Sequence, residues 1–158
     1  MRRMEIVPGV LTNKGKYGLK AMVHLAGAAP GQLVLAAEIA SANSIPKKFL
    51  DAIMAELRNA GFVYAKKGKG GGFALARLAS EIRVGAIIRA LDGPLAPLSC
   101  ASSAFYRRCD DCGDETGCAV RQMMMKAREA ISSVLDQHTL ADMRALGDPP
   151  DHEMMYHI

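Results

Sequence analysis

The chain has 158 residues, half of them hydrophobic, with no Trp and only 5% aromatic side chains. That length suits one domain, or one compact domain with a helical appendage, and excludes two large globular units. Ala supplies 25 of the hydrophobic residues, which favours packed helices over a β-sandwich. The net charge of +4 is a sum over two unlike halves. Residues 1–90 hold 14 Lys/Arg against 5 Asp/Glu, or +9, whereas residues 91–158 hold 6 against 11, or −5. Such asymmetry points to a polyanionic partner for the first half. Pro, Gly, Lys or Glu interrupts every apolar stretch short of the roughly 18–20 residues a membrane helix needs, so no membrane span is expected. Arg2 and Arg3 are followed by Pro8, Asn13 and Lys14 rather than an apolar run, which does not read as a secretory leader, and a cytoplasmic chain is expected.

Thr12 stands as an N-cap before apolar positions 18, 21, 22 and 25, so a first helix is predicted to end at Ala29-Pro30-Gly31. A short helix over Leu35–Ala42 is broken by Asn43-Ser44-Ile45. The next runs from about Pro46 to Ala60, with Phe49, Leu50, Ile53 and Leu57 on one apolar face and Gly61 as its stop. Together they form a helix-turn-helix. Phe62–Ala65 and Phe73–Ala76 flank Lys66-Lys67-Gly68-Lys69-Gly70-Gly71-Gly72, a β-hairpin with a flexible, cationic tip. Residues 80–91 read as an extended entry and a helix closed by Asp92-Gly93-Pro94, and Pro94 and Pro97 mark the join between the charge halves. Residues 100–118 lack periodicity and read as an irregular loop. Ala119–Gln137 is a long amphipathic helix with Val120, Met123, Met124, Ala127, Ile131, Val134 and Leu135 on its apolar face, and Leu140–Leu146 is a second, short one. Residues 147–158 are expected to form a flexible tail.

Two groups of residues carry chemistry. The second helix of the pair fits a major groove, and Lys47, Lys48 and Asp51 occupy its first turn. Lys66, Lys67 and Lys69 on the hairpin can follow a phosphate strand or a minor groove, where glycines let backbone N–H groups approach. The bland alternative is a solvated basic face. A nucleotide-phosphate loop is disfavoured, because Phe73 rather than Lys follows Gly72. The second group is Cys100-x8-Cys109-x2-Cys112-x5-Cys118. Four thiols on one loop, in a compartment that keeps them reduced, suit an iron-sulfur cluster (2Fe-2S or 4Fe-4S) or a tetrahedral zinc. Only one C-x2-C pair is present, where a zinc ribbon would have two. A thiol redox enzyme using Cys109 and Cys112 is the other reading, although the strand-helix context for it is missing.

Taken together, these residues resemble the iron-sulfur-dependent winged-helix repressors of the IscR and NsrR type. The resemblance runs from Leu11 to about Leu146. It rests on Thr12-x2-Gly15-x-Tyr17, on Ile45–Leu50 leading to Leu57-Arg58-x2-Gly61, on Lys67-Gly68-Lys69-Gly70-Gly71-Gly72-Phe73, and on Leu91-Asp92-Gly93-Pro94-Leu95-Ala96-Pro97. It implies a mainly α fold with a small β-hairpin wing: a winged helix-turn-helix domain (1–93), a cluster-binding cysteine loop (94–118), a dimerisation helix region (119–146) and a tail (147–158). It further implies a homodimer in which Val120, Met123, Met124, Ala127, Ile131 and Val134 pack between subunits. Its partner would be a pseudo-palindromic double-stranded DNA operator, bound under control of a cluster that senses iron, nitric oxide or redox state. The ligand pattern departs from the family in three places. The first cysteine gap is wide; the position of a cluster-binding His is Arg121; and the position of an N-terminal acidic ligand falls near Lys16. Cys100, Cys109, Cys112 and Cys118 are therefore taken as an all-cysteine site, with Cys109 as the inferred fourth ligand. His24 is read as a packed or surface histidine, His138, His152 and His157 receive no role, and Met154, Met155 and Tyr156 are assigned to the tail.

Overall fold

In the computed structural model, which describes residues 11–148, Thr12 caps a first helix, α1 (Asn13–Ala26). Helices α2 (Ala36–Asn43) and α3 (Lys47–Asn59) follow, then an antiparallel hairpin of β1 (Val63–Lys66) and β2 (Gly72–Leu75) in the register Val63 opposite Leu75. After a 3-10 turn at Ala79–Glu81 come α4 (Val84–Asp92), a second 3-10 turn at Ser99–Ala101, the long α5 (Ala119–Gln137) and α6 (Leu140–Gly147). The architecture is a mainly helical winged helix-turn-helix. Of the expected tail at 147–158, Gly147 closes α6 and Asp148 caps it, and the rest, with His152, Met154, Met155, Tyr156 and His157, lies outside the described residues.

The core is built where the apolar faces of α1, α3 and α4 meet, around Met22, Leu50, Ile53, Met54, Leu57, Ile87 and Leu91. Between α2 and α3 the chain turns at Ser44, whose φ of +54° supplies the left-handed residue that ends α2, and Ile45 then buries itself. Pro46 is the N-cap of α3 and not its first helical residue. Phe49 departs from expectation: it is 61% exposed, not part of the buried face. It lies about 100° around the helix from buried Leu50 and falls off the edge of the apolar arc. The hairpin also gains a partner that periodicity did not indicate. Val34 and Phe73 exchange two backbone hydrogen bonds of 2.8 Å, tying the segment before α2 to β2. Gly72 permits this, because a Cβ there would lie 2.6 Å from the Val34 carbonyl oxygen.

Two joints position the C-terminal part of the chain. At the first, the Thr12 N–H donates to Asp92 Oδ2 (2.8 Å), the Thr12 hydroxyl donates to Asp92 Oδ1, and the Gly15 N–H donates to Thr12 Oγ1 (3.2 Å). The end of α4 therefore clasps the start of α1. A Cβ at Gly15 would meet Asp92 Oδ2 at 2.3 Å, and one at Gly18 would meet Leu91 Cδ1 at 2.1 Å. The two motifs, Thr12-x2-Gly15 and Leu91-Asp92, are thus two sides of one contact. At the second joint, Arg89 on α4 donates to both carboxylate oxygens of Asp136 on α5 (2.6 and 2.8 Å), and Gly85 leaves room for that carboxylate. Ile131 and Leu135 pack beside it against Val84, Ile88 and Leu95. Ile131, expected between subunits, therefore packs within the chain. Beyond α5 the chain returns to the winged core: Val84 donates to the His138 carbonyl, Leu140 donates to Ile82, and the Leu140 side chain is fully buried. Thr139 and Asp142 form a capping box that starts α6, which packs on α1.

Removing the Asp92 carboxylate in Asp92→Ala should cost about 1–2 kcal/mol in urea unfolding, the worth of a lost cap and its hydrogen bonds. Gly15→Ala should cost a similar amount, about 1–3 kcal/mol by overpacking, and the double variant should cost less than the sum because both damage one contact. The Arg89–Asp136 bond holds the Asp136 carboxyl below the usual carboxylate range, more than its partial burial opposes. Both side chains remain about two-fifths exposed, so screening limits the pair to roughly 0.5–1 kcal/mol. A depressed folded-state pKa means this stability is present above the unfolded Asp value and is lost as pH falls through the folded one. Comparing Asp136→Asn with the unsubstituted chain should thus show a stability gap at neutral pH that closes in acid.

Candidate nucleic-acid interface and thiol loop

The first turn of α3 presents Pro46, Lys47, Lys48 and Phe49 to solvent, because Leu50 is the first residue to point inward. Lys47 Nζ lies 3.0 Å from Asp51 Oδ2, an i,i+4 pair on the exposed surface. Asp51 is thereby engaged and carries its own counter-charge, while Lys48 has no ion-pair partner among the described residues. Further along the outward side of α3 are Ala52 and the partly exposed Ala55.

Lys66 closes β1, and Lys67 and Lys69 occupy the turn that follows, all three exposed. The turn is folded back on itself more closely than a loose tip would be. Gly71 donates to the Gly68 carbonyl (3.0 Å), and a Cβ at Gly71 would stand 2.2 Å from the Lys66 carbonyl oxygen. Gly68 and Gly70 adopt φ of +90° and +76°, the left-handed conformations that glycine reaches at little cost. The glycines thus shape the wing so that its lysines project from a narrow end. His24 hydrogen-bonds through Nδ1 with the Asn43 side chain (3.2 Å), a packing role between α1 and α2.

The cysteine loop is irregular apart from its 3-10 turn, and α5 holds both its ends. Cys100 is buried on that turn. Cys118 is the N-cap of α5, its Sγ accepting from the Arg121 N–H (3.4 Å). Arg121 Nε donates to the Cys100 carbonyl (3.0 Å) and its guanidinium lies over the Tyr106 ring. Tyr106 in turn hydrogen-bonds to Glu115. Two turns further along α5, Arg128 Nη1 donates to the Ala101 carbonyl (2.6 Å). Cys112 donates its N–H to the Cys109 carbonyl (3.3 Å), closing a turn on the C-x2-C pair, and Arg108 binds the Cys112 carbonyl. Side-chain hydrogen bonding with Cys100, followed by burial and by the charges of Cys100, Asp111 and Cys118, raises the Cys109 thiol pKa above the ordinary value. Asp114 is lowered instead, by the hydroxyl and N–H of Thr116 and the N–H of Gly117. Arg121 and Arg128 were not visible as loop-holding residues in the sequence, since a guanidinium meeting a distant carbonyl leaves no periodic signal.

The donor set fits a thiophilic metal group in kind: four thiols share one loop, Cys109 hydrogen-bonds with Cys100, and Cys112 sits on the same turn as Cys109. The four side chains are not drawn into a coordinating arrangement, and among the described residues no three His, Cys, Asp or Glu side chains are so gathered. No described helix is long and apolar enough to cross a membrane.

Comparison with known proteins agrees with this architecture. The chain is 38% identical over 143 residues to a protein of Rhodobacter capsulatus described as an rrf2-like HTH-type transcriptional regulator, covering 89% of this chain and 95% of that one. Among solved structures it is similar to CymR of B. subtilis, described as the global cysteine regulator, with 32% identity and a TM-score of 0.72 over 87% of this chain and 98% of that one. It is also similar to IscR of T. potens, with 30% identity and a TM-score of 0.71 over 92% and 96% of the two chains. The model of the Rrf2 family, described as iron-dependent transcriptional regulators, matches residues 11–145. The clasped α1–α4 motifs, the winged helix-turn-helix and these matches together make the chain a member of the Rrf2 family of DNA-binding transcriptional regulators.

Proposed function

We propose that this regulator is a cytoplasmic homodimer that binds a pseudo-palindromic double-stranded DNA operator, as a repressor, and that Cys100, Cys109, Cys112 and Cys118 hold an iron-sulfur cluster controlling its affinity. The single observation behind this reading is that α5 grips both ends of the cysteine loop, at Cys100 through Arg121 and at Cys118 through its own N-terminus. In this reading residues 1–93 bind DNA, 94–118 sense and 119–146 dimerise. Lys47, Lys48, Lys66, Lys67 and Lys69 meet phosphates and set affinity, and Asp51 contributes to base choice once released from Lys47. When bound, the cluster supplies iron–thiolate bonds that are lost to iron scarcity, nitric oxide or oxidant.

The chain's own residues carry the signal from there. Arg121 occupies the place of a histidine ligand in relatives of the IscR type and holds the Cys100 backbone from outside. Ordering residues 100–118 against Arg121 and Arg128 fixes the Cys118 end of α5. Arg89 and Asp136 pass the orientation of α5 to α4, and the Asp92 clasp passes it to α1. The switch is then a difference in stability between two placements of α3 relative to the dimer helix. Val120, Met123 and Val134, all more than half exposed on α5, support a second copy as their cover.

Protein prepared without oxygen should be coloured and contain iron and acid-labile sulfide, and Cys109→Ala should weaken or change its visible spectrum. An unchanged spectrum would remove Cys109 from the ligand set. A colourless protein carrying zinc would make the loop a structural zinc site, and turnover of a disulfide substrate would favour the thiol redox enzyme. Lys69→Ala should weaken binding to all duplexes alike and reduce the slope of log affinity against log salt by about one unit; an unaltered slope would take the wing out of the footprint.

A further inference from the structure

The first turns of α3 hold an apolar surface that the lysines do not account for. Phe49 is 61% exposed, and Ala52, three residues on and therefore on the same side of the helix, is exposed with it. Beside Phe49 lies a groove of about 420 Å³ shared with Tyr17 and Lys14 of α1, and Lys14 is occupied by Glu56. In the unbound chain Lys47 and Asp51 pair with each other at 3.0 Å, so among the charged groups of this turn Lys48 is the one with no ion-pair partner among the described residues. Phe49 and Ala52 line one side of that groove together, and an apolar patch rimmed by polar side chains, unlike a lone exposed residue, marks an interaction site. Its surroundings name the occupant by charge: Lys48 adjoins it, Lys66, Lys67 and Lys69 stand on the same basic module, and residues 1–90 carry +9.

We infer that Phe49, with Ala52, is a specificity determinant that reads thymine 5-methyl groups in the major groove. A phenyl ring forms no conventional hydrogen bond to a base edge, and the apolar feature a base pair offers there is the thymine methyl. The short side chain of Ala52 lets the helix lie close to the base pairs, bringing its own methyl group and the flanking ring into reach. The half-site preferred by this protein therefore has thymine where the first two turns of α3 enter. This inference rests on the reading of α3 as the helix that enters the groove.

The test uses the full chain, prepared without oxygen, to select binding sites from a pool of duplexes with a randomised centre. The selected duplex is then remade with deoxyuridine replacing thymidine one position at a time, which removes the methyl and leaves every hydrogen-bonding group. At one or two positions per half-site, affinity should fall about fourfold, the worth of one methyl group withdrawn from water. Phe49→Ala should weaken binding to the thymidine duplex more than to the deoxyuridine duplex, so that the difference between the two narrows. Phe49→Leu should retain part of the discrimination. The inference is overturned if deoxyuridine is tolerated at every position, or if Phe49→Ala weakens both duplexes equally. Selection of no duplex at all would instead overturn the reading of α3, and this inference with it.

Discussion

Asp92 accepts from both the backbone and the hydroxyl of Thr12, and that contact sets α4 on α1, the frame against which the chain beyond residue 92 is laid. One carboxylate closes the exposed N–H end of α1, where a negative charge is favoured by the helix dipole, and at the same time ends α4 at a defined place. The price is space: Gly15 and Gly18 must lack side chains so that Asp92 and Leu91 can reach α1. Once α4 is fixed on α1, its outer face presents Val84, Ile88 and Arg89 to α5, and α5 has little else within the chain to rest upon. No residue of α5 is buried, so its placement depends on this seam, on the return of the chain at Gln137–Leu140 and on the two arginines at the cysteine loop.

The distribution of charge acquires a spatial meaning on this frame. The basic half forms the compact winged core with its lysines on the first turn of α3 and on the hairpin. The acidic half forms the cysteine loop and α5, and it is joined to the core through the α4 seam. Acidic side chains near the thiols are partly offset by Arg108, Arg121 and Arg128, which bind backbone carbonyls and so hold the loop without competing for sulfur. A thiol-bearing loop of this kind has few packing contacts of its own, which leaves its order open to control by a bound group.

Much of this was legible in the residues. Periodicity located α5 to the residue, because 19 positions average out local exceptions. The wing was visible from its glycines and lysines, and the clasp motifs from the family resemblance they carry, although nothing in the pattern said that they touch. Where the reading failed, the cause was long-range geometry. Phe49 looked buried because it borders Leu50, and only the position of α1 decides that the arc stops short of it. Ile131 lies on the apolar face of α5 as expected, but periodicity identifies a face and not its neighbours, and within the chain the neighbour of Ile131 is α4. The Val34–Phe73 pairing spans too few residues to alternate, and Arg121 and Arg128 act through single bonds to carbonyls.

The return of the chain through Thr139 and Leu140 into the winged core makes α5 a beam held at one end. Its Gln137 end is tethered by Arg83, Arg89 and the buried Leu140, whereas its Cys118 end rests on the cysteine loop. Nineteen helical residues span about 28 Å at 1.5 Å each. A tilt of about six degrees at the tether thus displaces the tip by about 3 Å, on the order of one atomic diameter. In the proposed switch the lever runs the other way as well: a displacement of atomic size among the thiols would become a small rotation at the tether, where Arg89 joins α5 to α4.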